Sequence, residues 1–137
     1  MSDGRERRQE YRFSHGNLQV NIAYKYGWGL FKKQSVATWK DFNHTGMAFI
    51  SERRFQLGQR LSLHLLMRDR EREELQDVTA IVRNIHEMTG YYRHGVEFDF
   101  LSEEHMRLPL VKEKLITIEK KLKSILSELE TKHSNHQ

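Results

Sequence analysis

Six short runs of alternating apolar and polar residues, followed by an abrupt change of period, constrain this chain more than any other feature. The clearest run is Leu18–Tyr26, where Leu18, Val20, Ile22, Tyr24 and Tyr26 occupy every second position. A period of two places those side chains on one face of a β-strand. Looser or shorter runs recur over 35–42, 47–51, 60–67, 78–85 and 91–100, separated by glycine, asparagine or charged residues. Six short strands joined by local turns predict an antiparallel barrel or sandwich. The charged run 69–74 reads as a solvated hairpin tip, and 53–58 as a polar connection ending in a turn glycine.

After Phe100 the period lengthens. Leu108, Val111, Leu115, Ile118, Leu122, Ile125 and Leu129 alternate spacings of three and four. That is a heptad seam with leucine at a and valine or isoleucine at d. Ser102, Glu103 and Glu104 resemble an N-cap with acids in the first turn, so a helix is expected over 102–132, with Pro109 kinking or restarting it. Leucine at a with isoleucine at d favours more than two strands, so the seam predicts a homo-oligomer, a tetramer ahead of a dimer. A single amphipathic helix lying across the strands would need a similar stripe. Residues 133–137 read as a frayed tail.

At 137 residues the chain is expected to hold one domain. It has no cysteine, which excludes disulfides and thiolate metal sites. No apolar run approaches membrane-spanning length, so a cytoplasmic protein without membrane insertion is expected. The net charge of +4 favours an anionic partner. No Ser-His-Asp arrangement, metal-ligand spacing or phosphate loop is recognisable, and the eight histidines are scattered. The expectation is therefore no enzyme, no metal and no cofactor. Tyr24, Tyr26, Trp28, Phe31 and Trp39 could stack nucleic-acid bases, but core packing explains most of them, and nucleic acid is not expected as a partner.

Two polar clusters remain. Residues 1–17 form an expected mobile arm with Arg7, Arg8 and Arg12 spaced so that a partial turn aims guanidiniums at one place. Asp41, Phe42, Asn43, His44, Thr45 and Gly46 make a turn between two strands, with Asp and Asn able to bond their own backbone and Gly46 free to take a positive φ. Together these clusters resemble the PilZ domain family, bacterial receptors for cyclic di-GMP. Arg8 and Arg12 match its Arg-x-x-x-Arg motif, with Arg7 in the preceding place. Asp41 and Gly46 match its Asp/Asn-x-Ser-x-x-Gly motif, with Asn43 where the family usually has serine. The likeness continues through Phe49, Ile50 and Ser51, Leu57 and Gly58, Val82 and Arg83, and the closing Gly95, Val96, Glu97 and Phe98.

The resemblance implies a six-stranded antiparallel barrel over 18–101 and a long C-terminal helix. It also implies cyclic di-GMP as ligand, with Arg7, Arg8, Arg12, Asp41, Asn43 and Gly46 as binding residues. Arg8 and Arg12 would meet phosphates and the guanine O6 and N7 edge. Asp41, an acceptor only, suits the guanine N1–H and N2–H edge. Asn43 still donates and accepts, Gly46 would let backbone approach, and Arg83 is implied by family position alone. The arm would fold over the ligand and signal to an unidentified protein effector. The alternative is a PilZ-like interaction or oligomerisation module that binds nucleotide weakly or not at all.

Overall fold

The computed structural model describes residues 18–26, 29, 31–68 and 71–134, with side chains described through residue 128. Six strands, β1 (Leu18–Tyr26), β2 (Phe31–Asn43), β3 (Gly46–Ser51), β4 (Arg60–Arg68), β5 (Arg72–Met88) and β6 (Tyr91–Phe98), precede a helix, α1 (Pro109–Ser134). The strands close into an antiparallel barrel in the order β1-β2-β3-β6-β5-β4, with β4 pairing back onto β1. Leu18, Val20, Ile22 and Tyr24 fill the interior from β1, and Leu61, Leu63 and Leu65 from β4, as their period of two requires.

Two strands are longer than the local pattern predicts. β2 begins at Phe31 and β5 at Arg72, so the second half of the charge run expected as a hairpin tip, Arg72–Glu74, is strand. The charges are accommodated because the strand is only half covered. Glu74 accepts a hydrogen bond from His64 Nε2 at 2.8 Å across the β4–β5 pair, and Glu73 meets Lys121 of α1 at 3.3 Å.

The helix begins later than residue 102. Asp99 Oδ1 accepts the backbone N–H groups of Leu101 and Ser102 at 3.0 and 3.1 Å, and Arg60 bonds both the Asp99 carboxylate and the Ser102 hydroxyl. Ser102 is thus spent on a turn rather than on an N-cap. The donors from Ser102 and the two backbone amides, with Arg60 adding its charge, hold Asp99 down at a pKa of about 2. A single 3-10 turn follows over Glu104–Arg107, and Pro109 restarts the chain as the first residue of α1, where its missing N–H costs nothing.

α1 packs against β2 and β5. Leu115, Ile118 and Leu122, the centre of the heptad stripe, are 0, 0 and 3 % exposed within the single chain. The stripe expected to join separate chains is covered here by the chain's own barrel, which is the amphipathic-helix alternative. Leu108 is 57 % exposed, and the Leu129 side chain lies outside the described residues.

The polar connection 53–58 conceals a core residue. Phe55 is buried, and its N–H donates to Nε2 of the buried His94 at 3.1 Å. The His94 ring also stacks on Phe49 with centroids 5.1 Å apart. Burial, with Arg54 adding like charge, pushes His94 down to a pKa of about 4. Between pH 6.5 and 4 the unfolded chain binds a proton that the folded chain refuses. Stability from this group is therefore complete above pH 6.5, falls as pH drops to 4, and levels below that. The loss is roughly 3 kcal/mol. His94→Gln is expected to flatten this segment of the melting-temperature profile; an unchanged slope would assign the acid sensitivity elsewhere.

Candidate functional site

The outer face of β2, β3, β6 and β5 is built on two bulges. Between Trp39 and Asp41 the β2–β3 register shifts by one residue. Strict alternation from the inward Trp39 would turn Asp41 inward; with the bulge, Phe42 goes inward and Asp41 faces solvent. A matching shift between Val82 and Asn84 in β5 leaves Arg83 and Asn84 both exposed. The bulges re-aim polar side chains onto one surface from opposite sides.

Between them lies a nearly bare floor. Asp41 pairs with Ala48, Ala48 with Gly95 and Gly95 with Asn84, so a single row crosses four strands with only a methyl group and a hydrogen in its middle. The neighbouring row on the same face runs Asn43, Gly46, Glu97 and Ile81. The cleft over these rows has a volume of about 310 Å³ and is open to solvent.

The turn at its end is held by Asn43. Its Oδ1 accepts the N–H groups of Thr45 and Gly46 at 2.8 and 3.1 Å, and also the Thr45 hydroxyl. The carbonyl is committed to the turn, which leaves the amide NH₂ for a ligand. Gly46 is needed for a reason other than the expected positive φ, which it does not adopt. A Cβ there would run into the Val96 carbonyl oxygen of β6, so glycine permits the strands to close. Asp41 uses Oδ1 to accept the Phe42 N–H at 2.9 Å, and its carboxylate otherwise faces outward.

Across the floor, Arg83 Nε donates to Glu97 Oε2 at 3.0 Å, with both side chains more than half exposed. A pair so exposed is worth little and can part for a competing anion. The Asn84 amide lies over Gly95, where an added Cβ would collide with it. The cleft therefore offers one free carboxylate, two side-chain amides, an exchangeable guanidinium and a flat floor. A planar, polar-edged ring with a nearby anionic group suits that set.

Of the residues singled out in the sequence, Asp41, Asn43 and Gly46 share this cleft with Arg83. Arg7, Arg8 and Arg12 lie outside the described residues. Asn84 and Gly95 were missed. Glycine inside a strand was the available signal for Gly95, because such a glycine marks close approach. Nothing local marked Asn84, which reaches the site only through strand pairing and a bulge.

One further contact leaves the cleft. His44, in the same turn, donates from Nδ1 to Glu119 Oε2 of α1 at 3.3 Å. Burial would raise the Glu119 pKa, but the His44 bond and Lys123 hold it below its ordinary value. The turn and the helix are thus joined across 75 residues of sequence.

Comparison with known proteins agrees with this architecture. The PilZ domain of YcgR from Escherichia coli, solved with c-di-GMP, superposes with a TM-score of 0.60 at 16 % identity, covering 83 % of this chain and 88 % of that one. YcgR from Escherichia coli in complex with c-di-GMP gives 0.56 at 17 % identity, covering 87 % of this chain and 46 % of that chain. MrkH from K. pneumonia in its apo state gives 0.54 at 16 % identity, covering 83 % and 49 %. The chain therefore spans about half the length of these two larger proteins. At such identities the likeness is one of fold. No curated protein matches the sequence. A family model for the PilZ domain matches residues 6–111, which includes both sequence motifs and all six strands. This chain belongs to the PilZ domain family.

Proposed function

We propose that this protein is a cytoplasmic cyclic di-GMP receptor that binds the nucleotide on the outer face of β2, β3, β6 and β5. PilZ domains are a non-enzymatic, cyclic di-GMP-binding family, and two of the structural relatives carry that ligand. The observation that carries the reading is the row from Asp41 to Asn84 across Ala48 and Gly95. A guanine laid on that floor presents its N1–H and N2–H donors to the Asp41 carboxylate, which has no competing cation among the described residues. Arg83 and the Asn43 amide reach for the phosphates. Arg8 and Arg12, with Arg7 beside them, close over the ligand from the arm and supply the remaining cations.

Arg8→Ala and Arg12→Ala are each expected to abolish detectable binding while leaving the ligand-free melting temperature unchanged. Binding that survives both changes would remove the arm from the site.

The signal passes to a protein effector through the arm and α1. The His44–Glu119 bond supports the second route, because ligand contacts at 43–46 bear on the turn that holds the helix. Hydrogen exchange around Glu119 is expected to change when cyclic di-GMP is added, and to change less in His44→Ala. Equal responses in both proteins would exclude this contact as the route. A homo-oligomer, if α1 forms one, uses positions other than Leu115, Ile118 and Leu122, which the barrel already covers.

A further inference from the structure

The β1–β2 hairpin extends past its pairing with the other strands of the barrel. β1 pairs with β4 only as far as Ala23, and β2 pairs with β3 only from Thr38 onward. Tyr24, Lys25 and Tyr26, opposite Lys33, Lys32 and Phe31, therefore form a two-stranded ribbon with no sheet neighbour on either edge among the described residues. Such a ribbon gains little from its own pairing, so its side chains carry more than usual information.

Those side chains are ordered along the ribbon. Tyr26 and Phe31 face each other nearest the turn, stacked with centroids 5.3 Å apart, and are 43 and 55 % exposed. One step toward the barrel, Lys25 stands directly opposite Lys32, and Lys33 follows one step further. All three lysines are exposed, and among the described residues none has a carboxylate partner. Like charges directly opposite each other destabilise a strand pair. At the ribbon's base Arg53 lies over the Tyr24 ring at 4.5 Å, adding a further cation. The apolar rings are distal and the cations proximal.

We infer that the β1–β2 ribbon is a peripheral docking element for an anionic lipid surface, with Tyr26 and Phe31 entering the interface and Lys25, Lys32 and Lys33 at the level of the phosphates. Aromatic rings settle at the membrane–water interface, and lysines close behind them meet the negative headgroups. With successive residues about 3.3 Å apart along a strand, the lysines stand one and two residues behind the rings. Single-stranded nucleic acid fits less well. Lys25 and Lys32 project from the opposite face of the ribbon to Tyr26 and Phe31, so a strand stacked on the rings would reach Lys33 but miss the facing pair. A bilayer met end-on engages both faces at once. This contact is shallow: among the described residues no helix is long and apolar enough to cross a membrane. The inference is independent of the nucleotide cleft, which shares none of these residues.

The test is flotation of the full chain with vesicles of phosphatidylcholine alone and of phosphatidylcholine mixed with phosphatidylglycerol. Binding is expected only to the mixed vesicles and is expected to weaken with salt. Each basic residue near such a surface is worth roughly a fivefold gain, so Lys25→Glu with Lys32→Glu is expected to weaken binding at least 25-fold or so. Phe31→Ser is expected to weaken it without changing the salt dependence. A readout independent of variant folding is tryptophan quenching by brominated lipid in the unaltered protein. Trp28 falls in sequence between Tyr26 and Phe31, whereas Trp39 is buried, so a partial quench is expected. No binding to mixed vesicles overturns the inference, as does binding indifferent to the lysine reversals. Tighter binding to an oligothymidylate than to vesicles at the same salt would replace the lipid with nucleic acid.

Discussion

Leu115→Asp is expected to remove most of the protein's folding stability. Leu115 is 0 % exposed and sits in the same apolar cluster as Ile118, Leu122 and the barrel interior. Truncating such a leucine costs about 2–5 kcal/mol, and placing an unpaired carboxylate there adds a desolvation penalty. A small domain has only about 5–15 kcal/mol in total. Leu108→Asp, on the same stripe but 57 % exposed, is expected to change stability by less than about 0.5 kcal/mol. Chemical denaturation of the two variants distinguishes the cases. If Leu115→Asp instead gives a stably folded chain of smaller assembly mass, the stripe joins separate chains and α1 does not belong to the core described above.

The second large effect is expected in binding. Asp41→Ala removes the one carboxylate that the β2 bulge turns onto the floor of the cleft. A hydrogen bond from ligand to a charged acceptor contributes about 1.5–3 kcal/mol, so affinity for cyclic di-GMP is expected to fall roughly 10- to 150-fold. Among the described residues the carboxylate bonds only its neighbour's N–H, so the melting temperature is expected to move little. Asp41→Asn is expected to fall nearly as far, because half of its amide presents donors to the guanine's own donors. Normal affinity in both variants would place the guanine edge elsewhere.

The barrel was legible because its strands bury one face and therefore alternate. That logic identified Leu18–Tyr26 in full and failed where alternation breaks. The bulge beside Lys40 is invisible in the sequence, yet it decides that Asp41 faces outward and Phe42 inward. Phe55 lay in a polar connection without any period, and only the tertiary structure joins it to His94. The charge run does join β4 to β5, but its second half, Arg72–Glu74, is strand: charge was weighed above pairing there, and the partners, His64 and Lys121, are distant in sequence.

The heptad stripe shows a different limit. Spacing specifies that Leu115, Ile118 and Leu122 will be covered, and it is silent about what covers them. The turn was legible around Asn43, because Asx chemistry is local, but it spans only His44 and Thr45: Asp41–Asn43 belong to β2 and Gly46 to β3. Gly46 was singled out for conformational freedom, and its neighbour Val96 supplies the actual steric reason. The far side of the cleft, Asn84 and Gly95, is assembled by strand pairing, which no local pattern encodes.

The most direct test of the account is isothermal titration of the unaltered protein with cyclic di-GMP, beside GMP as a control. Saturable binding to cyclic di-GMP is expected, markedly tighter than to GMP, and suppressed in Asp41→Ala. Absence of heat and of any thermal shift at saturating nucleotide would contradict it, leaving the row from Asp41 to Asn84 as an unused surface of a PilZ fold.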